Sequence, residues 1–301
     1  MTTDAAPAAR WGTQSHSSVD GDKVIITCAL TGVLANRGQC PAIPYSPAEI
    51  ADEAKRAYDA GASVVHIHAR SDDGAPSFET PVFAAIRDEV RARCPIILNF
   101  STGHLDDDTT PQEDYVRTVK PEIAALNMGT MNYAKYSKKR RDFVFDMIFP
   151  NTFAKIKRLL TTMNEAGVKP ELECFDTGHT NSIWPLLDMG LLVPPVQFSF
   201  ILGVMGGIPP VADSLMMQAR QIPADSTWEV IGIGRQQWRL VATALVIGGN
   251  IRVGLEDNFY LPDGTMAGSN GDLVAKAAQM SRDVGREPAT VEEARQMLSL
   301  T

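Results

Sequence analysis

From residue 23 onward this chain alternates without changing character, and that alternation constrains its fold more than any other feature. Short β-branched or apolar runs at residues 23–30, 63–69, 95–101, 122–128, 170–176, 196–202, 227–233 and 250–255 are separated by segments of helical period. Successive βα units around a parallel sheet produce this order. Eight such units with no long polar linker between them predict an α/β fold, a closed (β/α)8 barrel of one domain over residues 23–301, rather than a doubly wound open sheet. An open dinucleotide-binding sheet would carry GxGxxG after its first strand, where Thr27 to Gly32 stand; later, Gly232 and Gly234 are followed by Gln237 in place of the third glycine. Boundaries are marked by capping chemistry. Ser46-Pro47-Ala48-Glu49 and Thr110-Pro111-Gln112-Glu113 each predict a hydroxyl cap, a proline at the first helical position and a glutamate closing the box. Gly61 and Gly167 fall at expected helix ends. The length beyond a compact barrel goes to a polar tail at residues 1–22, an insertion around 131–149 and an extra C-terminal helix near 291–298.

Composition narrows the chemistry. The 301 residues are 44% hydrophobic, and 28 Lys+Arg against 36 Asp+Glu leave a net charge of −8, the balance of an ordinary globular protein without a nucleic-acid or anionic-membrane surface. No run approaches the roughly 18 apolar residues of a membrane span, and the first residues lack the apolar stretch of a signal peptide, so a cytoplasmic location is expected. Cys28, Cys40, Cys94 and Cys174 never come closer than 12 positions, which excludes a CxxC pair; Cys28 and Cys174 read as small buried hydrophobes.

The sharpest local pattern is Val64-Val65-His66-Ile67-His68-Ala69-Arg70. Residues two apart share a strand face, so His66 and His68 project together, at the strand's C-terminal end where barrel active sites lie. Each imidazole carries two nitrogens that need partners when buried, and two on one face can reach one ion. A third ligand is expected from another strand end, where Arg252-Val253-Gly254-Leu255-Glu256-Asp257 places adjacent carboxylates that diverge, one toward metal and one toward substrate. Two histidines, one carboxylate and an open position form a catalytic zinc set. Ser101, Thr102, Gly103 and His104 offer hydroxyls and backbone N–H groups suited to a substrate carboxylate. Glu171 and Glu173 flank Leu172 and share one strand face, read as the barrel lumen because Leu172 and Cys174 suit a surface packed under helices. Arg252 can hold a carboxylate in its charged form or bind an anionic group. His179 reads as a ligand, a base or a helix-start hydrogen bond. Lys138 to Arg141 reads as a solvated charge run, or as an attraction for a phosphate-rich ligand.

Taken in order, VIITCALTG, SPAEIADEAKRAYDAGASVVHIHAR, LNFSTG, AALNMGTMN, PELECFDTGH and IRVGLEDN resemble the β-keto acid cleavage enzyme family over about residues 24–289. The resemblance implies a zinc-dependent TIM barrel, generally tetrameric, that converts a β-keto acid and acetyl-CoA to acetoacetate and a new acyl-CoA. It implies His66, His68 and Glu256 as ligands of one zinc per chain, Asp257 as catalytic base and Arg252 as the arginine that tunes it. Ser101 and its neighbours, with Asn127, match substrate contacts, and one of Glu171 or Glu173 matches a further active-site acid. The founding activity, on 3-keto-5-aminohexanoate, uses an acidic residue just after the first strand's TG. Here Val33 and Leu34 stand there, and a threonine expected near the fourth strand's end is replaced by Ala125 or Leu126. A desolvated, unpaired ammonium is costly, so a neutral or apolar β-keto acid is expected. Two other readings compete: an amidohydrolase-like barrel, whose HxH belongs to the first strand rather than the second, and a non-catalytic metal- or CoA-binding barrel, against which the retention of both Glu256 and Asp257 argues.

Overall fold

The computed structural model describes residues 22–300, so the tail expected over residues 1–22 lies, apart from Asp22, outside the described residues. Strands β1 (Lys23–Val24) and β2 (Ile26–Ala29) lead to helix α1 (Pro47–Ala60); β3 (Val64–Ile67) is followed by α2 (Thr80–Arg91) and β4 (Ile97–Phe100) by α3 (Thr110–Val119). After β5 (Ile123–Asn127) comes a hairpin of β6 (Met131–Ser137) and β7 (Asp142–Phe149), then α4 (Phe153–Ala166). Strand β8 (Lys169–Cys174) precedes the short α5 (Thr177–Asn181) and α6 (Ile183–Asp188), and β9 (Gln197–Leu202) precedes α7 (Ala212–Ala219). Strand β10 (Thr227–Gly232) precedes α8 (Gln237–Val246), β11 (Asn250–Val253) precedes α9 (Asn270–Asp283), and β12 (Glu287–Pro288) and α10 (Val291–Met297) follow. Strands β2, β3, β4, β5, β8, β9, β10 and β11 form a closed barrel, each parallel to the next, with β11 returning to β2 through Ile251↔Ile26. The predicted (β/α)8 barrel is therefore the observed one.

Helix ends follow the sequence closely, with one exception. Ser46 forms the expected capping box with Glu49, and Gly61 and Gly167 end their helices in the left-handed conformation at φ 112° and 70°. The box expected at Thr110 is absent. Thr109 occupies the cap position without a side-chain cap bond, because its hydroxyl donates to Glu113 and that of Thr110 donates to Asp108. The run at 23–30 is also not one strand. Lys23 and Val24 pair in parallel with Glu287 and Pro288 outside the barrel, and Ile25 gives its N–H to Oδ1 of Asn250 at 2.8 Å.

Alternation along each strand sorts side chains between two cores. Val65, Ile67, Leu98, Phe100, Leu172, Cys174, Phe198 and Phe200 face outward into the apolar layer under the helices. The lumen is apolar only at its ends. At the N-terminal end, Ile25, Val64, Ile97 and Ile123 pack against Ala294 and Leu298, so α10 and the residue after it plug the barrel floor. At the other end, Ile201 and Ile231 pack with Met131 and Phe149 of the hairpin and with Phe175. Polar side chains fill the space between. With the floor closed, chemistry is confined to the C-terminal mouth.

Candidate active site

His66 is the third residue of β3 and fully buried, and His68 follows the strand at its C-terminal end. Their rings lie 5.1 Å apart at 68°. Glu256, after β11, completes the group: its Oε1 is 3.3 Å from Nε2 of His68 and its Oε2 3.8 Å from Nε2 of His66. One ligand atom from each of the three lies within 4.8 Å of the other two. Nε2 of His66 and Oε2 of Glu256 are buried without a hydrogen-bond partner. Buried polar atoms are ordinarily satisfied, so two orphaned acceptors converging on one point fit a cation between them. Burial, reinforced by the nearby Arg252 charge, holds the His66 imidazole well below its usual range, in the neutral form that binds metal. Burial works against ionisation of Glu256, yet Arg252 and the two histidines keep its carboxyl well below the usual range. Glycines bring these elements together. At Gly32 (φ 58°) a Cβ would come within 2.8 Å of Cγ of Glu256, and at Gly254 (φ 142°) within 2.1 Å of the Ala29 carbonyl oxygen.

Arg252 projects from β11 beside this group and is buried. Its Nε donates to Oδ2 of Asp257 at 2.9 Å and its Nη2 to Oδ1 at 3.0 Å, a two-point grip, while Nη2 also reaches Oε1 of Glu256 at 2.9 Å. Its Nη1 stands 3.7 Å from Oε1 of Glu173. Burial, opposed by Arg252 and reinforced by Glu256, pushes the Asp257 carboxyl up to about 6. Glu173 rises to about 8 for the same primary reason. The cluster thus offers an ionised carboxylate held by a fixed guanidinium next to a candidate cation position, together with a second, protonated carboxyl.

Glu171 and Glu173 both enter the lumen, as the flanking Leu172 predicts, but in different company. Glu171 lies one layer deeper and accepts hydrogen bonds from Asn99 and Gln197. It faces Glu229, which accepts from Thr27 Oγ1 at 2.6 Å and Ser199 Oγ at 3.1 Å. Burial raises both carboxyls, Glu229 to about 8 with Glu171 adding to it, while Arg252 opposes the rise at Glu171. A carboxyl with a folded pKa above its unfolded value of 4.5 contributes stability below about pH 4.5, and that contribution is lost as pH rises through about 8. Thermal melts between about pH 6 and 9 should therefore show wild-type stability falling by on the order of 1–2 kcal/mol more than that of Glu229→Gln. Parallel pH profiles would disprove this assignment. His66, Glu171 and Glu173 also bring one ligand atom each within 4.8 Å, a second, deeper candidate cation position.

Other residues singled out in the sequence fall around the mouth. Ser101 follows β4 with its hydroxyl accepting from the Gly103 N–H, Thr102 donates to the Ala125 carbonyl, and the buried Oδ1 of Asn127 has no partner. His104 packs its ring on Phe78 at 4.3 Å, and its carbonyl accepts from Nζ of Lys155 at 2.9 Å. Val33 is half-buried on the loop after β2, and Leu34 beside it is exposed. His179 is not among the clustered donors. It packs against Gly129 so tightly that a Cβ there would meet its ring, and its Nδ1 accepts the Phe175 N–H. All four cysteines are free and buried.

Three contributors escaped the sequence reading. Arg70 donates to the carbonyls of Thr31, Gly32, Ala35 and Gly74 and so fixes the loop that carries Val33. Lys155 ties the loop after β4 through the carbonyls of His104 and Asp106. Tyr133, on the hairpin, has its hydroxyl pushed up to about 12 by burial and by Glu256, Asp257 and Glu173. Of these, only Arg70 had a local signal, an arginine closing the HxHxR run.

Comparison with known proteins places the chain in a family. The family model described as beta-keto acid cleavage enzyme matches residues 23–300. A 3-keto-5-aminohexanoate cleavage enzyme of Fusobacterium nucleatum subsp. nucleatum is 40% identical over 280 residues, covering 93% of this chain and 98% of the relative. A 3,5-dioxohexanoate:acetyl-CoA acetone transferase of Paraburkholderia graminis is 34% identical over 297 residues, covering 92% and 96%. Among solved structures, apo ObcA superposes with a TM-score of 0.74 over 86% of this chain at 20% identity; the match spans 66% of that longer protein and speaks for the fold alone. The chain belongs to the beta-keto acid cleavage enzyme family.

Proposed function

We propose that this protein condenses a β-keto acid with acetyl-CoA to give acetoacetate and a new acyl-CoA, with one zinc ion per chain held by His66, His68 and Glu256. The observation that carries the reading is the two-point Arg252–Asp257 pair set directly beside that donor set. A divalent ion there supplies positive charge that favours the enolate form of a β-keto acid. Asp257, oriented by Arg252, takes the proton from substrate C2. Ser101, the Gly103 N–H, Thr102, His104 and Asn127 line the place for the substrate carboxylate, while Glu173, or the deeper Glu171, supplies the further acid. The C2 carbon then bonds to the acetyl carbon as CoA thiolate leaves. The thiolate adds to the former ketone carbon, the C2–C3 bond breaks with its electron pair returning to C2, and the proton held on Asp257 goes back to C2 to give acetoacetate.

Two finer points belong to the same reading. The Fusobacterium relative is named for an amino substrate; here Val33 and Leu34 occupy the loop after β2, on a backbone fixed by Arg70, which supports a neutral or apolar side chain on the substrate. A homotetramer is proposed from the family resemblance, and a cytoplasmic location is kept as the expectation read from the sequence; among the described residues no helix is long and apolar enough to cross a membrane. The test is a panel of β-keto acids with acetyl-CoA and metal-loaded protein. Acetoacetate should form, faster with uncharged side chains than with the 5-amino substrate. No acetoacetate with any member would overturn the function, and a preference for the amino substrate would overturn the role given to Val33.

A further inference from the structure

The hairpin of β6 and β7 is rooted at the barrel mouth and ends in the most concentrated positive charge of an otherwise acidic chain. Its root is built into the mouth: Met131 and Phe149 pack with Phe175, Ile201 and Ile231, which stand at or just beyond the C-terminal ends of β8, β9 and β10. Ala134 bridges to Met205, and Gly206 comes so close that a Cβ would sit 1.9 Å from the Asn132 carbonyl oxygen. These contacts fix the direction in which the hairpin leaves the barrel. Tyr133 stacks on Phe145 with ring centroids 6.0 Å apart, on the face that also carries Met131 and Phe149. At the far end, Lys138, Lys139, Arg140 and Arg141 are all exposed, and their side chains make no hydrogen bond or ion pair within the described residues. Immediately below them, Tyr136 and Phe143 face each other edge to face at 5.7 Å, 44% and 50% exposed.

Four unpaired cations above an exposed aromatic pair make a surface for a polyphosphorylated ligand that also carries a flat ring. We propose that the hairpin tip binds the phosphorylated nucleotide end of acetyl-CoA, Lys138 to Arg141 pairing with its phosphates and the Tyr136–Phe143 pair meeting its adenine; this rests on the acetyl-CoA-dependent function above. The span fits. Four residues of strand separate Tyr133 from Ser137, about 13 Å. The arm between the CoA sulfur and its first phosphorus is about thirteen bonds, roughly four residues of extended chain or ~15 Å. A cosubstrate with its thioester at the mouth can therefore lay its phosphates on the tip while the arm runs along the hairpin.

The test uses the full metal-loaded chain and the exposed quadruple variant K138Q/K139Q/R140Q/R141Q. KM for acetyl-CoA should rise about tenfold while kcat changes less than about twofold, as expected when several exposed charge pairs act together on binding alone. Acetyl-pantetheine, which lacks phosphates and adenine, should show no such difference between the two proteins. Adenosine 3′,5′-bisphosphate should compete with acetyl-CoA in the wild type and about tenfold less well in the variant, whereas adenosine should not discriminate between them. Turnover with an unchanged KM for acetyl-CoA overturns the tip assignment and leaves the function standing. A variant that changes oligomeric state instead of KM also overturns it, since the tip would then be a contact between copies. Calorimetric titration of CoA needs no turnover: weaker binding to the variant supports the assignment even if no β-keto acid reacts, an outcome that would overturn the function alone, and equal binding refutes it.

Discussion

Asp257→Asn is expected to lower kcat by about 10³-fold while the protein keeps its metal, because the substitution removes one proton acceptor and little else. Asparagine has nearly the same shape, and its carbonyl oxygen can still accept from Nε or Nη2 of Arg252, the two atoms that grip Asp257 at 2.9 and 3.0 Å. What it cannot do is take a proton from carbon. The three candidate metal donors are untouched, and Arg252 keeps its contact to Oε1 of Glu256 at 2.9 Å. One cost is expected: the asparagine amide points a donor at a guanidinium that has only donors, destabilising the fold by about 1–3 kcal/mol. Metal content, melting temperature and kcat measured on one preparation separate these effects. Turnover within about tenfold of wild type would mean that proton removal falls to another group, such as Glu173, whose Oε1 stands 3.7 Å from Nη1 of Arg252 and which is not one of the three mouth donors.

The barrel was legible because its signals are local. Period-two alternation assigns faces within one strand, so Glu171 and Glu173 could be placed in the lumen from Leu172 and Cys174 alone. The same arithmetic set His66 and His68 side by side. Glu256 and Asp257 were readable as a divergent pair, but which of them turns to the histidines depends on how closely Gly32 and Gly254 let the backbones approach, and that depends on long-range packing. Apart from the Thr110 box, whose competitors Asp108 and Glu113 are local, the misread features share this property. Ile25 leaves its strand because a side chain on β11, 225 residues away, takes its N–H. The Thr110 box fails because Asp108 and Glu113 capture the hydroxyls first. Tyr133 lies within an insertion whose docking on the mouth no sequence period announces. Glu229 carried no signal in the sequence, and its meeting with Glu171 is made by barrel closure.

His66→Ala should abolish stable metal binding, with a loss of affinity above about 100-fold, because changing even the outer partners of a metal ligand commonly costs 10–100-fold. The variant removes one of three donors and leaves His68 and Glu256 at 3.3 Å, a pair too few for a tight site. Stability should separate this from general damage. In the wild-type apo protein the His66 ring nitrogens are buried without partners, so truncation relieves an unsatisfied polar group while opening a cavity, and the two effects oppose each other. Apo melting temperatures of variant and wild type should thus lie close together. Added zinc at about 100 times Kd should stabilise the wild type by about 2.7 kcal/mol and the variant hardly at all. Because His66 also belongs to the deeper set with Glu171 and Glu173, its loss alone does not say which position the ion takes. Glu256→Gln and Glu171→Gln decide that: the mouth position requires metal to be lost in the first and kept in the second. Full metal occupancy in His66→Ala would exclude both positions, and loss only in Glu171→Gln would move the ion one layer down, out of reach of His68.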